Sequence, residues 1–379
     1  MFQKHTGAKR TLILGTTALA IELIAAMRGR SDYRVIGVVG ERDRTETFVP
    51  APVLGFIDDL PRILAEHAPE RIVVAMSEHR GLLPVQQLVQ TRIRCGTLIE
   101  DGEQVYERLT GKVAMESLTP SRLIFSRDFC PSRATLLAAR IVSLTAAAIG
   151  IVVFAPVLAL IALAIKLDSA GPVLFVQERV GLNGKSFNLL KFRTMHPERH
   201  SRSEWVRDNR DRITGVGRWL RKFRLDELPQ FINILRGDMN LVGPRPHPRS
   251  NFEMFALVSR NAPRHGGQIP YYSLRCLIRP GITGWAQVRY RYANDLDEEM
   301  EKMRYDLYYV KHLSVWLDLR VLFETVKVVV LGHGAAPEPE KPTVSSIPIS
   351  APAVSIPEPE LVAPPPTVMS IQAGNPASP

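Results

Sequence analysis

Two adjacent carboxylates stand among cations in the segment from Arg218 to Pro246. Asp226 and Glu227 follow Arg218, Arg221, Lys222 and Arg224, and the segment closes on the stiff basic turn Gly243-Pro244-Arg245-Pro246. A carboxylate can attack an electrophile or hold a metal, and fixed cations neutralise phosphate oxygens, so the combination suits phosphate chemistry. A plainer account is available. Asp226 precedes an apolar run, Leu228 to Leu235, with Pro229 in its first turn and Gly237 past its end, so it could cap a helix. The cations could likewise be a solvated helix face. Density weighs for chemistry, because further stretches nearby combine Arg or Lys with Gly, Pro and acids, which core packing does not require.

Those stretches need elements to position them. Val173 to Gln177 and Ser186 to Lys191 read as two strands joined through Gly181-Leu182-Asn183-Gly184-Lys185, a hairpin presenting Gln177, Arg179, Lys191 and Arg193. Arg279 to Val288 reads as a Gly/Pro-punctuated loop leading into a short strand, its glycines permitting close approach of backbone to a ligand. Asp297 to Val310 reads as a helix carrying Arg304 and Asp306, with Lys311 at its end. Trp316 to Val330 reads as a core helix or one lying in a membrane interface.

The 379 residues are 45% hydrophobic, which allows packed cores and excludes a chain disordered throughout. A net charge of +10 points to anionic partners: nucleic acid, acidic head groups or phosphorylated small molecules. Cys95, Cys130 and Cys276 lack CxxC spacing and nearby His pairs, so free thiols are expected and no zinc site. The N-terminal apolar run is too short for a signal peptide and merges into an α/β pattern.

That pattern opens with a strand over Thr11 to Leu14, a helix over Ala18 to Met27 and a strand over Tyr33 to Val39. It continues with a helix at Leu60 to His67, a strand at Arg71 to Met76, a helix at Pro84 to Thr91 and a short strand at Thr97 to Ile99. A mostly parallel sheet with helices on both faces follows. Gly15 and Glu41 sit where a dinucleotide fingerprint would place a glycine and an acid, but the other glycines are missing; a structural or regulatory Rossmann-like domain is the better expectation. Ile141 to Ile165 then runs 25 residues without a charge, about 37 Å as a straight helix and long enough to cross a bilayer. Pro156 predicts a kink, as in a bent span or a hairpin that leaves by the face it entered. Beyond Gly334 a Pro-, Ser- and Ala-rich stretch without period predicts a disordered tail.

From about Arg133 to Val330 the chain resembles the bacterial sugar transferases, the monotopic phosphoglycosyl transferases. The likeness rests on Lys191-Phe192-Arg193-Thr194-Met195, Asp226-Glu227-Leu228-Pro229-Gln230, Gly237-Asp238-Met239, Val242-Gly243-Pro244-Arg245-Pro246, the run Arg279 to Val288, and Tyr305 to Lys311. With the N-terminal domain it looks like the larger, exopolysaccharide-type members. The expected organisation is an α/β chain: a Rossmann-like domain over 1–130, a membrane-embedded re-entrant helix over 131–168, an α/β-like catalytic domain over 169–333 and a disordered tail over 334–379.

The resemblance implies transfer of a sugar phosphate from a nucleotide sugar, a UDP-sugar, to undecaprenyl phosphate, with release of UMP. It makes Asp226 the nucleophile of a covalent phosphosugar intermediate and has Asp226 and Glu227 hold Mg²⁺. A bound dication would let both neighbouring carboxylates stay ionised. Lys191, Arg221, Arg245 and Arg279 would bind phosphate, Arg193 joins them as a candidate substrate-binding residue, and Asp306 would help arrange the site. The expected partners are the nucleotide sugar, the polyprenyl carrier and membrane lipids, without nucleic acid; a homodimer is compatible. The expected location is the inner (cytoplasmic) membrane with both soluble domains in the cytoplasm, since a single span would put one domain on the side without nucleotide sugars. The alternative is a membrane-anchored basic binding or regulatory protein, which needs charge but not an Asp-Glu pair among specific cations.

Overall fold

Short apolar strands alternating with helices build a parallel five-stranded sheet at the N-terminal end. In the computed structural model, which describes residues 7–41, 49–76, 83–115, 118, 120–126, 128–196, 212–253, 272–290 and 296–331, the strands are β1 (Lys9–Leu14), β2 (Tyr33–Gly40), β3 (Val53–Phe56), β4 (Arg71–Val74) and β5 (Leu98–Asp101). Their order is β3-β2-β1-β4-β5, every pairing parallel. Helices α1 (Ala18–Met27), α2 (Leu60–His67) and α3 (Val85–Cys95) link successive strands and α4 (Gly102–Thr110) follows β5, and separate apolar clusters fill the two faces, one around Leu23, Val38 and Tyr106 and one around Leu12, Ile63 and Ile72. The β1–α1 turn lies against the end of β4: Thr17 donates its hydroxyl to the Ala75 carbonyl at 2.6 Å, and a Cβ on Gly15 would stand 2.6 Å from that same oxygen.

After the short α5 (Pro120–Phe125), the apolar segment forms α6 (Arg133–Asp168), 36 residues long, starting on a Ser132 cap that accepts from the Thr135 amide. It is the one helix among the described residues long and apolar enough to cross a membrane. The helix assignment continues through Pro156, whose missing N–H deprives the Val152 carbonyl of its usual donor. Residues 152–156 are all exposed, whereas both ends of α6 pack on the rest of the chain: Ala147 joins Leu189, Ile234 and Met239, and Ile161 and Ile165 join Phe192 and Leu220.

The hairpin is β6 (Leu174–Val180) with β7 (Ser186–Phe192), each strand running further than the alternation suggested. Then come α7 (Gly215–Lys222), a 3-10 turn over Leu225–Glu227, α8 (Gln230–Arg236), β8 (Asn240–Val242), a 3-10 segment Tyr272–Leu277, β9 (Gly281–Thr283), α9 (Trp285–Arg289), α10 (Leu296–Lys311) and α11 (Val315–Leu331). Two local expectations are corrected. Asp226 does not cap α8: it sits inside the 3-10 turn, after Arg224 in the left-handed region, and Pro229 occupies the cap position without a side-chain bond. Trp285 to Val288 is helical, and the strand lies before it, where β9 pairs in parallel with β8. Cys95, Cys130 and Cys276 are free thiols, and the expected tail lies outside the described residues.

Candidate active site

The local chain order places the carboxylates. Thr214 caps α7, whose Arg221 and following Arg224 turn inward while Arg218 and Lys222 stay exposed, Lys222 lying over the stacked rings of Trp219 and Phe223. The four cations counted in sequence thus split into an inner and an outer pair. Inward, Arg221 Nε donates to Thr194 Oγ1 at 3.0 Å and Arg224 Nη1 to Gln287 Oε1 at 3.3 Å. Leu225 and Leu228, which bracket the acids, pack into the cluster containing Ile161 and Ile165 of α6.

Glu227 is buried. Its Oε1 accepts from Arg245 Nη2 at 3.1 Å and stands 3.7 Å from Lys191 Nζ. Burial alone would raise its carboxyl, but Arg245, Lys191 and Arg224 hold it down at about 2. Lys191 feels the converse. Burial and then the Arg245 charge push its ammonium down to about 8, against the opposing pull of Glu227 and Asp226. Asp226 is raised, first by burial and then by Glu227, with Lys191, Arg221 and Arg245 pulling the other way. No hydrogen bond or ion pair engages Asp226 among the described residues, so its oxygens are uncommitted. One carboxylate is clamped between cations and its neighbour is left available.

The Arg245 turn is held by close backbone packing. A Cβ on Gly281 would lie 2.1 Å from the Gly243 nitrogen, and one on Gly284 would lie 2.2 Å from the Gly243 oxygen, so only glycine lets the Val242–Pro246 and Arg279–Gly284 segments run this close. The Gly243 amide donates to Thr283 O and the Gly281 amide to Pro244 O. A cleft beside the turn is lined by Arg179, Leu189, Lys191, Gln230, Arg245 and Ile282.

The structure brings Asp226, Glu227, Lys191, Arg221 and Arg245 together and sets the other candidates apart. Arg193 is buried at the end of α6, where its Nη2 donates to the Ser169 carbonyl at 2.7 Å and hydroxyl at 2.9 Å, tying β7 to the helix terminus. Arg279 Nε donates to Gly237 O at 3.0 Å beyond the end of α8. Asp306 is buried against Arg275 at 2.7 Å, one step behind the Arg245 turn. The cation that shares the cleft in place of Arg279 is Arg179, whose Nη1 donates to Pro246 O at 3.3 Å. It pairs with Phe187, four residues from Lys191 on the same strand, so its place with Lys191 on one face of the predicted hairpin was the available signal.

The membrane-type helix positions α8 directly. Arg140 donates to Ile234 O at 2.7 Å in the last turn of α8 and to Met239 O at 2.8 Å just before β8, and the Leu241 amide donates to Ser143 Oγ at 3.0 Å. On the other side, Asn233 of α8 accepts from the Leu190 amide at 3.0 Å and donates to Asn188 O at 2.7 Å, fixing α8 on the strand that carries Lys191.

Residues 134–332 match the family described as Bacterial sugar transferase. The UDP-N-acetylgalactosamine-undecaprenyl-phosphate N-acetylgalactosaminephosphotransferase of Aeromonas hydrophila is 40% identical over 235 residues, 62% of this chain and 52% of that protein. The UDP-glucose:undecaprenyl-phosphate glucose-1-phosphate transferases of Escherichia coli (strain K12) and Caulobacter vibrioides are each 43% identical, over 179 and 200 residues; these cover 46% and 52% of this chain, and 36% and 71% of those proteins. The chain spans about half the length of the Aeromonas relative and about a third of the Escherichia one. With the matched segment exceeding half of the sequence and containing every residue of the clamped carboxylate site, the chain belongs to the bacterial sugar transferase family.

Proposed function

We propose that the chain transfers a sugar phosphate from a UDP-sugar to undecaprenyl phosphate, releasing UMP, as the first membrane step of exopolysaccharide synthesis. The observation that carries this is the pairing of a clamped Glu227 with an uncommitted Asp226 beside a cationic cleft. An Asp226 oxygen attacks the sugar-bearing phosphorus, the bond to the leaving phosphate breaks, and UMP departs with the bonding pair. A phosphate oxygen of the lipid then attacks the same phosphorus and the Asp226 carboxylate leaves. Lys191, Arg245 and Arg179 face the transferred and leaving oxygens across the cleft, with Arg221 contributing its charge at Asp226.

The residues fit Mg²⁺ as a two-carboxylate site. An ion held by these two adjacent carboxylates would take its remaining ligands from phosphate and water. Asp226 and Glu227 would hold it, and burial together with Glu227 already makes Asp226 hard to ionise, a cost that a dication offsets. When bound, the ion supplies charge neutralisation at the pyrophosphate.

The reading extends to topology, with α6 re-entrant, the sheet domain a Rossmann-like body, and both on the cytoplasmic face of the inner membrane. Its support is that Arg140 and Ser143 near one end of α6 and Ile161, Ile165 and Asp168 near the other all contact segments of the site region, while residues 152–156 between them are exposed. Exposed Trp316, Leu319, Phe323 and Val326 on α11, and Trp219 and Phe223 on α7, suit an interfacial setting.

Mass spectrometry of the protein incubated with UDP-sugar and Mg²⁺, without acceptor, tests the covalent step. A sugar-phosphate adduct on Asp226, absent from Asp226→Asn, is expected. No adduct, with intersecting initial-rate lines when both substrates vary, overturns the covalent route.

A further inference from the structure

Behind the Arg245 turn lies a buried polar group that the reaction above does not use. Arg275, in the 3-10 segment Tyr272–Leu277, is buried, and its guanidinium spans four partners. Nη2 donates to Asp306 Oδ2 at 2.7 Å and to the Arg245 carbonyl at 2.9 Å, while Nη1 donates to the Tyr272 hydroxyl at 2.9 Å and lies 3.0 Å from the His247 ring. The Tyr272 hydroxyl in turn meets His247 Nδ1. One guanidinium therefore ties the backbone of Arg245 and the ring of His247, two residues apart, to a carboxylate on α10.

The anchor is itself fixed. Glu299, Lys302 and Asp306 occupy one face of α10; Glu299 reaches Lys302 at 2.9 Å and His247 at 3.6 Å. The opposite face is held by the N-terminal domain. Arg304 donates to Glu22 at 3.0 Å and Tyr106 at 3.1 Å, Lys311 donates to Glu107 at 2.9 Å, and Lys112 pairs with Glu301. Asp306 is deeply buried, and burial raises its carboxyl while Arg275 and Lys302 oppose the rise; breaking the pair would leave an uncompensated charge.

We infer that Arg275 is a positioning residue for the carboxylate site. Held by Asp306 on α10, it fixes the Arg245 carbonyl and thereby sets the Arg245 guanidinium on Glu227. This rests on the transferase reading for its kinetic readout but not for its structural one. A ligand-facing guanidinium on a two-proline turn has little use unless the turn is pinned within a fraction of an ångström. Removal of outer partners of this kind lowers activity by about 10- to 100-fold in comparable sites.

Two perturbations separate positioning from folding. Arg275→Lys keeps the charge beside Asp306 but cannot span Arg245 O, Tyr272 and Asp306 together. Arg275→Met/Asp306→Leu removes both charges at similar volume, which leaves folding intact where a single deletion does not. In the full chain, each should lower kcat/KM for UMP release by about 10- to 100-fold, with melting temperature little changed in the double variant. Adding Arg275→Lys to Arg245→Ala should then cost nothing further, because its effect runs through Arg245. The same fold-loss in both backgrounds overturns the proposal. Should Arg245→Ala be too slow to measure, hydrogen exchange decides. Amides of Gly243, Arg245 and His247 must exchange faster in Arg275→Lys, and unchanged exchange overturns the proposal. Wild-type protein releasing no UMP from any donor would refute the transferase reading instead, and the exchange comparison would still judge Arg275.

Discussion

Glu227→Gln should cost stability as well as activity. The ionised Glu227 side chain is stabilised by Arg245 and Lys191 strongly enough to hold its carboxyl at about 2 against an ordinary 4.5. At about 1.4 kcal/mol per pH unit, that difference is ~3 kcal/mol of folding stability carried by the charge. The sign follows from a depressed carboxylate: the contribution is complete above about pH 4.5 and is lost as pH falls towards 2. Glutamine keeps an acceptor for Arg245 but no charge, leaving Lys191 and Arg245 with only Asp226 to oppose them. A loss of roughly 1–3 kcal/mol at pH 7 is expected, a fall of several degrees in melting temperature for a chain of this size. The assay is thermal unfolding in lipid nanodiscs, at pH 7 and in steps from pH 6 to 3. Wild type should lose this increment on acidification and the variant should not. A variant that melts with wild type at pH 7, or that keeps the wild-type slope below pH 4.5, would refute the clamp as described.

Asp318→Asn should act oppositely. Burial raises the Asp318 carboxyl to about 6 although the Tyr309 hydroxyl donates to it at 2.6 Å, so wild type loses up to ~3 kcal/mol between about pH 4 and 6, and the amide, which can still accept that bond, should be more stable at pH 7 and flat with pH. Melting curves of both proteins at pH 4 and 7 check the sign. Arg140→Met removes charged donors from Ile234 O in the last turn of α8 and Met239 O just before β8; a loss of about 3–5 kcal/mol is expected, read as a lower melting temperature and faster proteolysis near α8. Gly281→Ala would set a methyl 2.1 Å from the Gly243 nitrogen, and UMP release should fall at least as far as in Arg275→Lys, while Gly184→Ala, with nothing within 4 Å but a positive φ, should cost about 1 kcal/mol and leave turnover intact.

Periodicity and punctuation made most of the N-terminal sheet legible: the four strands read from apolar runs between turn signals each matched a strand to within a few residues, while β3, four residues long and interrupted by Gly55, gave no comparable run and was not expected. The 25 uncharged residues of α6 were equally plain, since no other helix among the described residues is as long and apolar. Short elements around the site were harder. Trp285 to Val288 is too brief for its period to separate helix from strand, and only β9, pairing with β8, uses the strand positions first. Asp226 resembled a cap because Pro229 follows it, yet the left-handed Arg224 redirects the chain into a 3-10 turn. Arg275 and His247 carried no signal. They lie 28 residues apart, and what unites them is a buried hydrogen-bond network that no local spacing encodes.

The position of the acids suits the proposed transfer from a water-soluble donor to a lipid acceptor. Leu225 and Leu228, immediately flanking the pair, pack with Ile161 and Ile165 near the end of the apolar helix, so Asp226 and Glu227 are brought directly to its surface. Lys191 and Arg245, which hold Glu227, also line a cleft with Arg179, and α8, which follows the acids, is tied to Arg140 on the same helix. Seven residues of α8, about 10 Å, are all that separate the acids from the Arg140 anchor. In the proposed reaction a lipid phosphate held beside α6 would therefore need no large domain movement to reach a phosphorus carried on Asp226. The nucleotide part of the donor would leave as UMP before that phosphate arrives. On the proposed route a covalent intermediate would let donor and lipid use the site in turn, whereas direct displacement would crowd donor pyrophosphate and lipid phosphate among Lys191, Arg245, Arg179 and Arg221 at once.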